Sequence, residues 1–190
     1  MSTPPPAVRA ATPEDRDRVV DTIVAAFADD PAFTMFFGDR YAELAPAFAG
    51  YLFDRRVRGG TAWVAEDGAA TALWDGPSPT PPVDEPAPTL LLPDDARQRL
   101  DAYDDAVHDA LPSGPIWYLG ILASHPNTRG KGLGRVVARE GLARAATDAV
   151  PAVLETTNPD NVGVYERSGW RVHRRLDDIV GLTVWVMVQG

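Results

Sequence analysis

A glycine-rich segment at residues 125–135 carries the strongest chemical signal in this chain. It reads His-Pro-Asn-Thr-Arg-Gly-Lys-Gly-Leu-Gly-Arg and follows an apolar, strand-like run at 116–122. Its glycines leave backbone N–H groups uncovered, and a helix that begins there adds partial positive charge at its first turn. Backbone amides arranged in this way bind anions. The segment therefore predicts a site for a pyrophosphate, with a turn that binds nothing as the alternative.

The spacing of the glycines excludes two common phosphate-binding motifs. A Walker-type loop requires a serine or threonine after its lysine, and a glycine stands there instead. A dinucleotide fingerprint requires a third glycine at Arg135 or Val137, where neither residue is glycine. The spacing that fits is R-x-x-G-x-G, formed by Arg129, Gly132 and Gly134.

Two residues further along the chain could move protons. Glu155 lies in an apolar strand-like run at 152–157, which Asn158 follows, and Tyr165 lies in a short helical segment that stops at Gly169. A carboxylate can accept a proton and a phenol can donate one. The structural alternatives are that Tyr165 packs in the core and that Glu155 is a buried polar group with satisfied hydrogen bonds.

Taken together, these segments resemble the GNAT superfamily of N-acetyltransferases. In that family R-x-x-G-x-G binds the pyrophosphate of acetyl-CoA, and a strand, an asparagine and an aromatic-rich helix follow. From residue 8 to about residue 188 the sequence is similar to the puromycin N-acetyltransferase branch and its relatives. The resemblance implies a mixed α/β domain spanning 1–190, with a central, mostly antiparallel sheet flanked by helices.

The resemblance also implies the residues that bind acetyl-CoA. They comprise the strand before the glycine-rich segment, the segment itself and two asparagines: Leu122, Ala123, Ser124, Arg129, Gly130, Lys131, Gly132, Leu133, Gly134, Arg135, Asn158 and Asn161. A backbone N–H near Leu122 would hold the oxyanion that develops when the thioester is attacked.

The same resemblance assigns catalytic roles to Tyr165 and Glu155. Tyrosine has an ordinary pKa of about 10 and a thiol about 8.5, so Tyr165 is the expected acid that protonates the leaving thiolate. Glu155 is the expected base that removes a proton from the acceptor amine. Asp29 and Asp30 are alternatives that would instead bind a cationic substrate.

Three functions are consistent with these residues. The first is acetyl transfer from acetyl-CoA to a primary amine of a small molecule, including an antibiotic such as puromycin. The second keeps the chemistry but uses a protein N-terminus or lysine as the acceptor. The third is a non-catalytic acyl-CoA-binding sensor, which would have no need of Tyr165.

Composition and charge limit the classes of partner, the location and the cofactors that we expect. A net charge of −9 argues against nucleic acid and is compatible with a cationic amine. No apolar run is long enough to span a membrane, and the N-terminus lacks the features of a signal peptide. The chain has no cysteine, and its 3 histidines form no local metal motif. We therefore expect a cytoplasmic protein without a metal; the sequence leaves monomer and homodimer open.

Local patterns predict the order β-α-α-β-β-α-β-α-β-α-β-β. The predicted elements are a strand at 7–11, helices at 12–28 and 41–57, a hairpin of 61–65 with 70–74, a proline-rich loop at 77–93, a helix at 94–110, a strand at 116–124, a helix at 132–149, a strand at 152–157, a short helix capped by Asp160, and strands at 170–176 and 182–188.

Overall fold

The computed structural model describes residues 6–78 and 92–190. Most of the proline-rich loop predicted at 77–93 therefore lies outside the described residues. The helices are α1 Arg16–Ala26, α2 Pro31–Phe37, α3 Tyr41–Arg58, α4 Asp94–Ala110, α5 Leu133–Asp148 and α6 Pro159–Glu166. The strands are β1 Val8–Ala10, β2 Ala62–Ala65, β3 Ala70–Asp75, β4 Trp117–Ser124, β5 Ala152–Thr156, β6 Arg171–Ile179 and β7 Leu182–Gln189.

The strands form one seven-stranded sheet in the order β1-β2-β3-β4-β5-β7-β6. Every pair is antiparallel except β4 with β5, which are parallel and are connected through α5. The mixed α/β class and the mostly antiparallel sheet predicted from the sequence are therefore confirmed.

Helices cover both faces of this sheet. On one face α1 to α4 enclose a core that includes Ile23 and Phe53, both fully buried. On the other face α5 packs against a core that includes Trp74 and Val137, which are also fully buried. The alternation of side chains along β3 explains this division, because Leu73 belongs to the first core and its neighbour Trp74 to the second.

The helix α2 is absent from the elements predicted from the sequence, which end one helix at 28, before Asp29, Asp30 and Pro31, and begin the next at 41. In the structure Asp30 begins a new one. Its Oδ1 accepts hydrogen bonds from the N–H groups of Ala32 and Phe33 at 3.0 and 3.1 Å. An acidic N-cap followed by proline is a strong helix-start signal, and here it overrides the reading of proline as a terminator.

The cap of α6 also differs from the prediction. Asn158 occupies the N-cap position in place of Asp160, and its Oδ1 accepts from the Asp160 N–H at 3.0 Å. The physical reason is the proline at 159, which stands at the first helical position and places the cap immediately before it.

The contact between α5 and β3 depends on Gly141. A Cβ at this buried glycine would lie 2.1 Å from the indole ring of Trp74, far inside van der Waals contact. The absence of a side chain therefore allows the helix to lie directly on the tryptophan.

We expect Gly141→Ala to lower the free energy of unfolding by about 2 kcal/mol, because an overpacking cost of about 3 kcal/mol, the upper end for so close a contact, outweighs the gain of about 1 kcal/mol in helix propensity. Urea unfolding measures this. Gly163→Ala in α6 is the matched control, since its Cβ would come no closer than 3.4 Å to Arg167. The control should unfold at the same or a higher urea concentration; equal losses in both variants would contradict the tight packing.

Candidate active site

The central feature of the sheet is the divergence of β4 and β5. Their parallel pairing covers only Trp117 to Leu119 on β4 and Ala152 to Leu154 on β5. Beyond that point the sheet has a wedge-shaped opening between the two strands, with residues 120–122 on one side and residues 155–157 on the other.

An irregularity in β4 changes which backbone groups face this opening. The register with β3 shifts between Leu73 and Trp74, which leaves Gly120 as an extra residue on β4. Before the bulge, the Trp117 N–H donates to Pro151 O on the β5 side; after it, the His125 N–H donates to Ala69 O on the β3 side.

Consecutive N–H groups along a strand point to opposite edges. Counted back from His125, the Leu122 N–H therefore points away from β3 and towards the opening. Without the bulge it would point towards β3. The sequence-level assignment of an oxyanion donor near Leu122 thus has the required backbone direction, because of the extra residue at Gly120.

A cavity of about 110 Å³ lies in the opening. Its walls come from both sides of the wedge, from α6, and from α2 and α4 above it. The lining residues are Phe27, Asp30, Ala32, Phe33, Phe36, Tyr103, Leu119, Gly120, Ile121, Leu122, Leu154, Glu155, Thr156, Thr157, Asn161 and Tyr165.

Glu155 lies on β5 where that strand leaves β4. Its carboxylate accepts a hydrogen bond from the Tyr118 hydroxyl on the neighbouring strand. Burial raises the pKa of Glu155 from 4.5 to about 7, against the opposing effects of the Tyr118 hydrogen bond and the charge of Arg56. A carboxylate with this pKa can accept a proton at neutral pH and is a stronger base than an exposed one.

Tyr165 projects from α6 into the same cavity, and its ring lies against Trp170 with the centroids 6.1 Å apart. Its hydroxyl makes no hydrogen bond with any described residue, so it remains free to donate to a bound molecule. Burial, with the negative charges of Glu155 and Asp30, raises the pKa of Tyr165 to about 12. That value is above the ordinary tyrosine pKa on which the acid role was predicted, and it keeps the hydroxyl protonated.

The glycine-rich segment forms the turn between β4 and α5. Gly132 is the N-cap of α5 and is left-handed, with φ +70°, and no heavy atom lies within 4 Å of where its Cβ would be. The first helical hydrogen bond is donated by Val136 to Gly132 O, so the amides of Leu133, Gly134 and Arg135 precede it. The turn therefore presents uncovered amides beside open space, as an anion site requires.

The cations of this turn are exposed. Arg129, Lys131 and Arg135 are exposed, and within residues 6–78 and 92–190 none of them pairs with an acid. Positive charges without a carboxylate partner add to the attraction of the helix N-terminus for an anion.

The remaining predicted residues divide into those on the cavity and those away from it. Asn161 lines the cavity and donates to Thr156 Oγ1 at 3.4 Å, whereas Asn158 uses its side chain to cap α6. Asp30 also lines the cavity, but Asp29 is exposed outside it. Ala123 is buried, and Ser124 is half-buried beside Gly134.

Several side chains of the site were not predicted from the sequence. Tyr118, which holds Glu155, was treated only as part of an apolar strand. The rings of Phe33 and Phe36 were missed together with α2. Gly120 within an apolar strand was a usable signal, because an isolated strand glycine often marks a bulge or a close approach.

No protein-family model matches this sequence. Solved structures with closely similar folds do exist. One is described as histone acetyltransferase HPA2 and related acetyltransferase from Corynebacterium glutamicum, with 24% identity, TM-score 0.68, and coverage of 97% of this chain and 95% of that one.

Two further similar structures are insect enzymes. Arylalkylamine N-acetyltransferase 2 from Aedes aegypti has 14% identity, TM-score 0.73, and coverage of 97% of this chain and 98% of that one. Polyamine N-acetyltransferase from Drosophila melanogaster has 16% identity, TM-score 0.69, and coverage of 96% and 98%. The chain has the GNAT fold of these acetyltransferases.

No helix in the described residues has both the length and the apolar character to cross a membrane.

Proposed function

We propose that this protein transfers the acetyl group of acetyl-CoA to a primary amine of a small molecule. The observation that carries the proposal is the arrangement of the wedge between β4 and β5. It brings a base, Glu155, and an acid, Tyr165, to one cavity, with the Leu122 N–H directed into the same opening.

The glycine-rich turn supports acetyl-CoA as the acetyl donor. Its open, left-handed Gly132 and the uncovered amides that follow would hold the pyrophosphate, and Arg129 and Lys131 would neutralise its charge. The turn directly follows β4, so a donor bound there could extend along the strand into the wedge, where β5 no longer occupies the hydrogen-bonding edge.

The residues of the cavity account for each part of the transfer. Glu155 accepts a proton from the amine, whose nitrogen then attacks the thioester carbonyl carbon. The Leu122 N–H stabilises the oxygen as it gains negative charge. The carbon–sulfur bond breaks, and Tyr165 donates its proton to the departing sulfur. The nitrogen, positively charged after the attack, then returns a proton to the Tyr165 oxygen, and Glu155 releases its own proton to solvent.

The raised pKa of Tyr165 is compatible with this last step. Burial disfavours the charged form of any group, so the pKa of a thiol in the same cavity also rises. The acid and the thiolate it protonates are therefore affected in the same direction. Between about pH 7 and pH 12, Glu155 is ionised while Tyr165 stays protonated.

The small volume of the cavity, and its enclosure by two helices, favour a small acceptor over a protein. Residues from α2 and α4 enclose a space of about 110 Å³ above the wedge. Two of the similar structures are named for small amines, an arylalkylamine and a polyamine. The sequence resemblance adds puromycin as an acceptor, and its acetylation would imply a role in antibiotic resistance.

The test is to incubate the purified protein with acetyl-CoA and single amines and to follow the release of free thiol. The panel contains puromycin, phenethylamine, spermidine and a peptide with a free N-terminus. Release with a small amine is the expected result. Acetylation of the peptide alone would support the protein-acceptor alternative, and tight binding of acetyl-CoA without release in any assay would support a sensor.

Gly132→Val checks the donor site within the same experiment. A valine side chain would fill the space beside the uncovered amides, so we expect acetyl-CoA binding and thiol release to be lost. Gly60→Val is the matched control, since Gly60 has φ +67°, equally open surroundings and a position at the opposite end of the β2–β3 hairpin from the turn. Both variants place a valine at a similar positive φ, and only the first should lose calorimetric binding of acetyl-CoA.

A further inference from the structure

The two carboxylate oxygens of Asp30 have different surroundings. Its Oδ1 accepts both hydrogen bonds that cap α2, from Ala32 and Phe33. Its Oδ2 accepts none from any described group, although the residue lines the cavity. One oxygen is therefore sufficient for the helix, and the other is available to a ligand.

Aromatic rings surround this carboxylate. Phe27, Phe33, Phe36 and Tyr103 all line the cavity. The centroids of Phe27 and Phe33 are 4.5 Å apart, and Tyr103 meets Phe36 edge to face at 5.3 Å. A wall of ring carbons with a single anionic oxygen fits an ammonium group that is attached to an apolar body.

The second carboxylate of the cavity, Glu155, is engaged differently. It is held by the Tyr118 hydroxyl from the strand beside it. Both carboxylates nevertheless face the same space: burial raises the pKa values of Tyr103 and Tyr165, and the negative charges of Glu155 and Asp30 raise them further. Burial also raises the pKa of Asp30, and the two amides of α2 oppose that rise. An arriving ammonium would favour the ionised form further.

We propose that the Oδ2 of Asp30 binds the acceptor as an ammonium ion, and that the surrounding rings select a monoamine with an aromatic body. This inference rests on the proposed function. The amine first pairs with Asp30 and then loses one proton to Glu155 as it approaches the thioester. Asp30 returns unchanged, because the proton passes from the ammonium nitrogen to the Glu155 carboxylate.

The number of carboxylates on the cavity wall favours aromatic monoamines over polyamines. Among the described residues that line the cavity, only Asp30 and Glu155 are acidic, and Glu155 must be free to accept a proton. Asp104, whose negative charge also acts on Tyr103 and Glu155, does not line the cavity, so no further lining carboxylate is left for the second and third ammonium groups of a polyamine. Desolvating those charges against phenylalanine rings without a partner would be unfavourable.

The decisive variant is Asp30→Asn. Asparagine caps helices about as well as aspartate, so the variant keeps α2 and removes only the negative charge. We expect the KM for phenethylamine to rise about 10- to 100-fold, the effect of losing one hydrogen bond to a charged group, with kcat changed much less. Asp39→Asn, at an exposed position after α2, removes the same charge outside the cavity and should leave KM unchanged.

Three measurements complete the test. Urea unfolding should give the same midpoint for Asp30→Asn and the wild type. Calorimetry should show that phenethylamine binds the protein–coenzyme A complex and that Asp30→Asn weakens this binding. The wild type should have a kcat/KM for phenethylamine at least about 10-fold above those for n-butylamine and spermidine.

The contrary results are equally specific. An unchanged KM and unchanged amine binding in Asp30→Asn would show that Asp30 only caps α2, and would overturn the proposal. Preference for spermidine over phenethylamine would overturn the assigned substrate class. Amine binding by calorimetry without thiol release would instead contradict the proposed catalytic function, which separates that failure from this one.

Discussion

Replacing Tyr165 by phenylalanine should lower kcat about 100- to 1,000-fold and leave the affinity for acetyl-CoA unchanged. Burial raises the pKa of Tyr165 to about 12, so its phenol stays protonated at neutral and alkaline pH. Without its proton, the thiolate must leave as an anion in a desolvated space.

We expect Tyr165→Phe to leave the structure of the protein unchanged. The Tyr165 hydroxyl has no hydrogen-bond partner among the described residues, so its removal leaves no buried group unsatisfied. The ring contact with Trp170 is retained by phenylalanine. We therefore expect an unchanged urea midpoint and an activity loss of similar size from pH 7 to pH 9. Wild-type turnover in this variant would disprove the acid role.

Replacing Glu155 by glutamine should lower kcat/KM about 100- to 10,000-fold and remove the acid limb of its pH profile. In the wild type, kcat/KM should rise with pH through about 7, because Glu155 accepts the amine proton only when ionised and its pKa is about 7. Rate measurements from pH 5.5 to pH 8.5 test both parts. A retained limb at the same pH would assign it to another group.

Stability provides a second readout for Glu155 that does not depend on turnover. Its pKa is about 7 in the folded protein against an ordinary 4.5, so between these values the folded state binds more protons than the unfolded state. The contribution of Glu155 to the free energy of unfolding must then fall as the pH rises through this interval. Glutamine does not titrate, so the variant should lose that part of the pH dependence.

Much of the fold was accessible from local patterns. The bounds of α4 match the predicted helix at 94–110, and the hairpin predicted at 61–65 and 70–74 forms as β2 and β3, with Asp67 and Gly68 in its turn. These elements are specified by neighbouring residues: a turn dipeptide between two short apolar runs, or an apolar stripe at helical spacing. The missing element, α2, is one in which proline has two opposite meanings, and the whole helix, proline included, is only 7 residues long.

The candidate site likewise has one part that the sequence predicts and one part that it does not. The glycine-rich turn was predicted because an anion site on backbone amides depends on residues that are adjacent in the chain. The direction of the Leu122 N–H was not derivable, since it depends on how many residues of β4 oppose β3. One extra residue at Gly120 reverses it.

The sequence by itself determined which residue types are present for acid–base chemistry and where a phosphate could bind, because both depend on residue identity and short spacing. Only the tertiary structure decided that Asp30, Glu155 and Tyr165 share one cavity. They come from a helix cap, a strand and a second helix, and the divergence of β4 from β5 brings them together. Burial in that space then sets the pKa of Glu155 near neutrality, a property of the surroundings that no single position in the chain encodes.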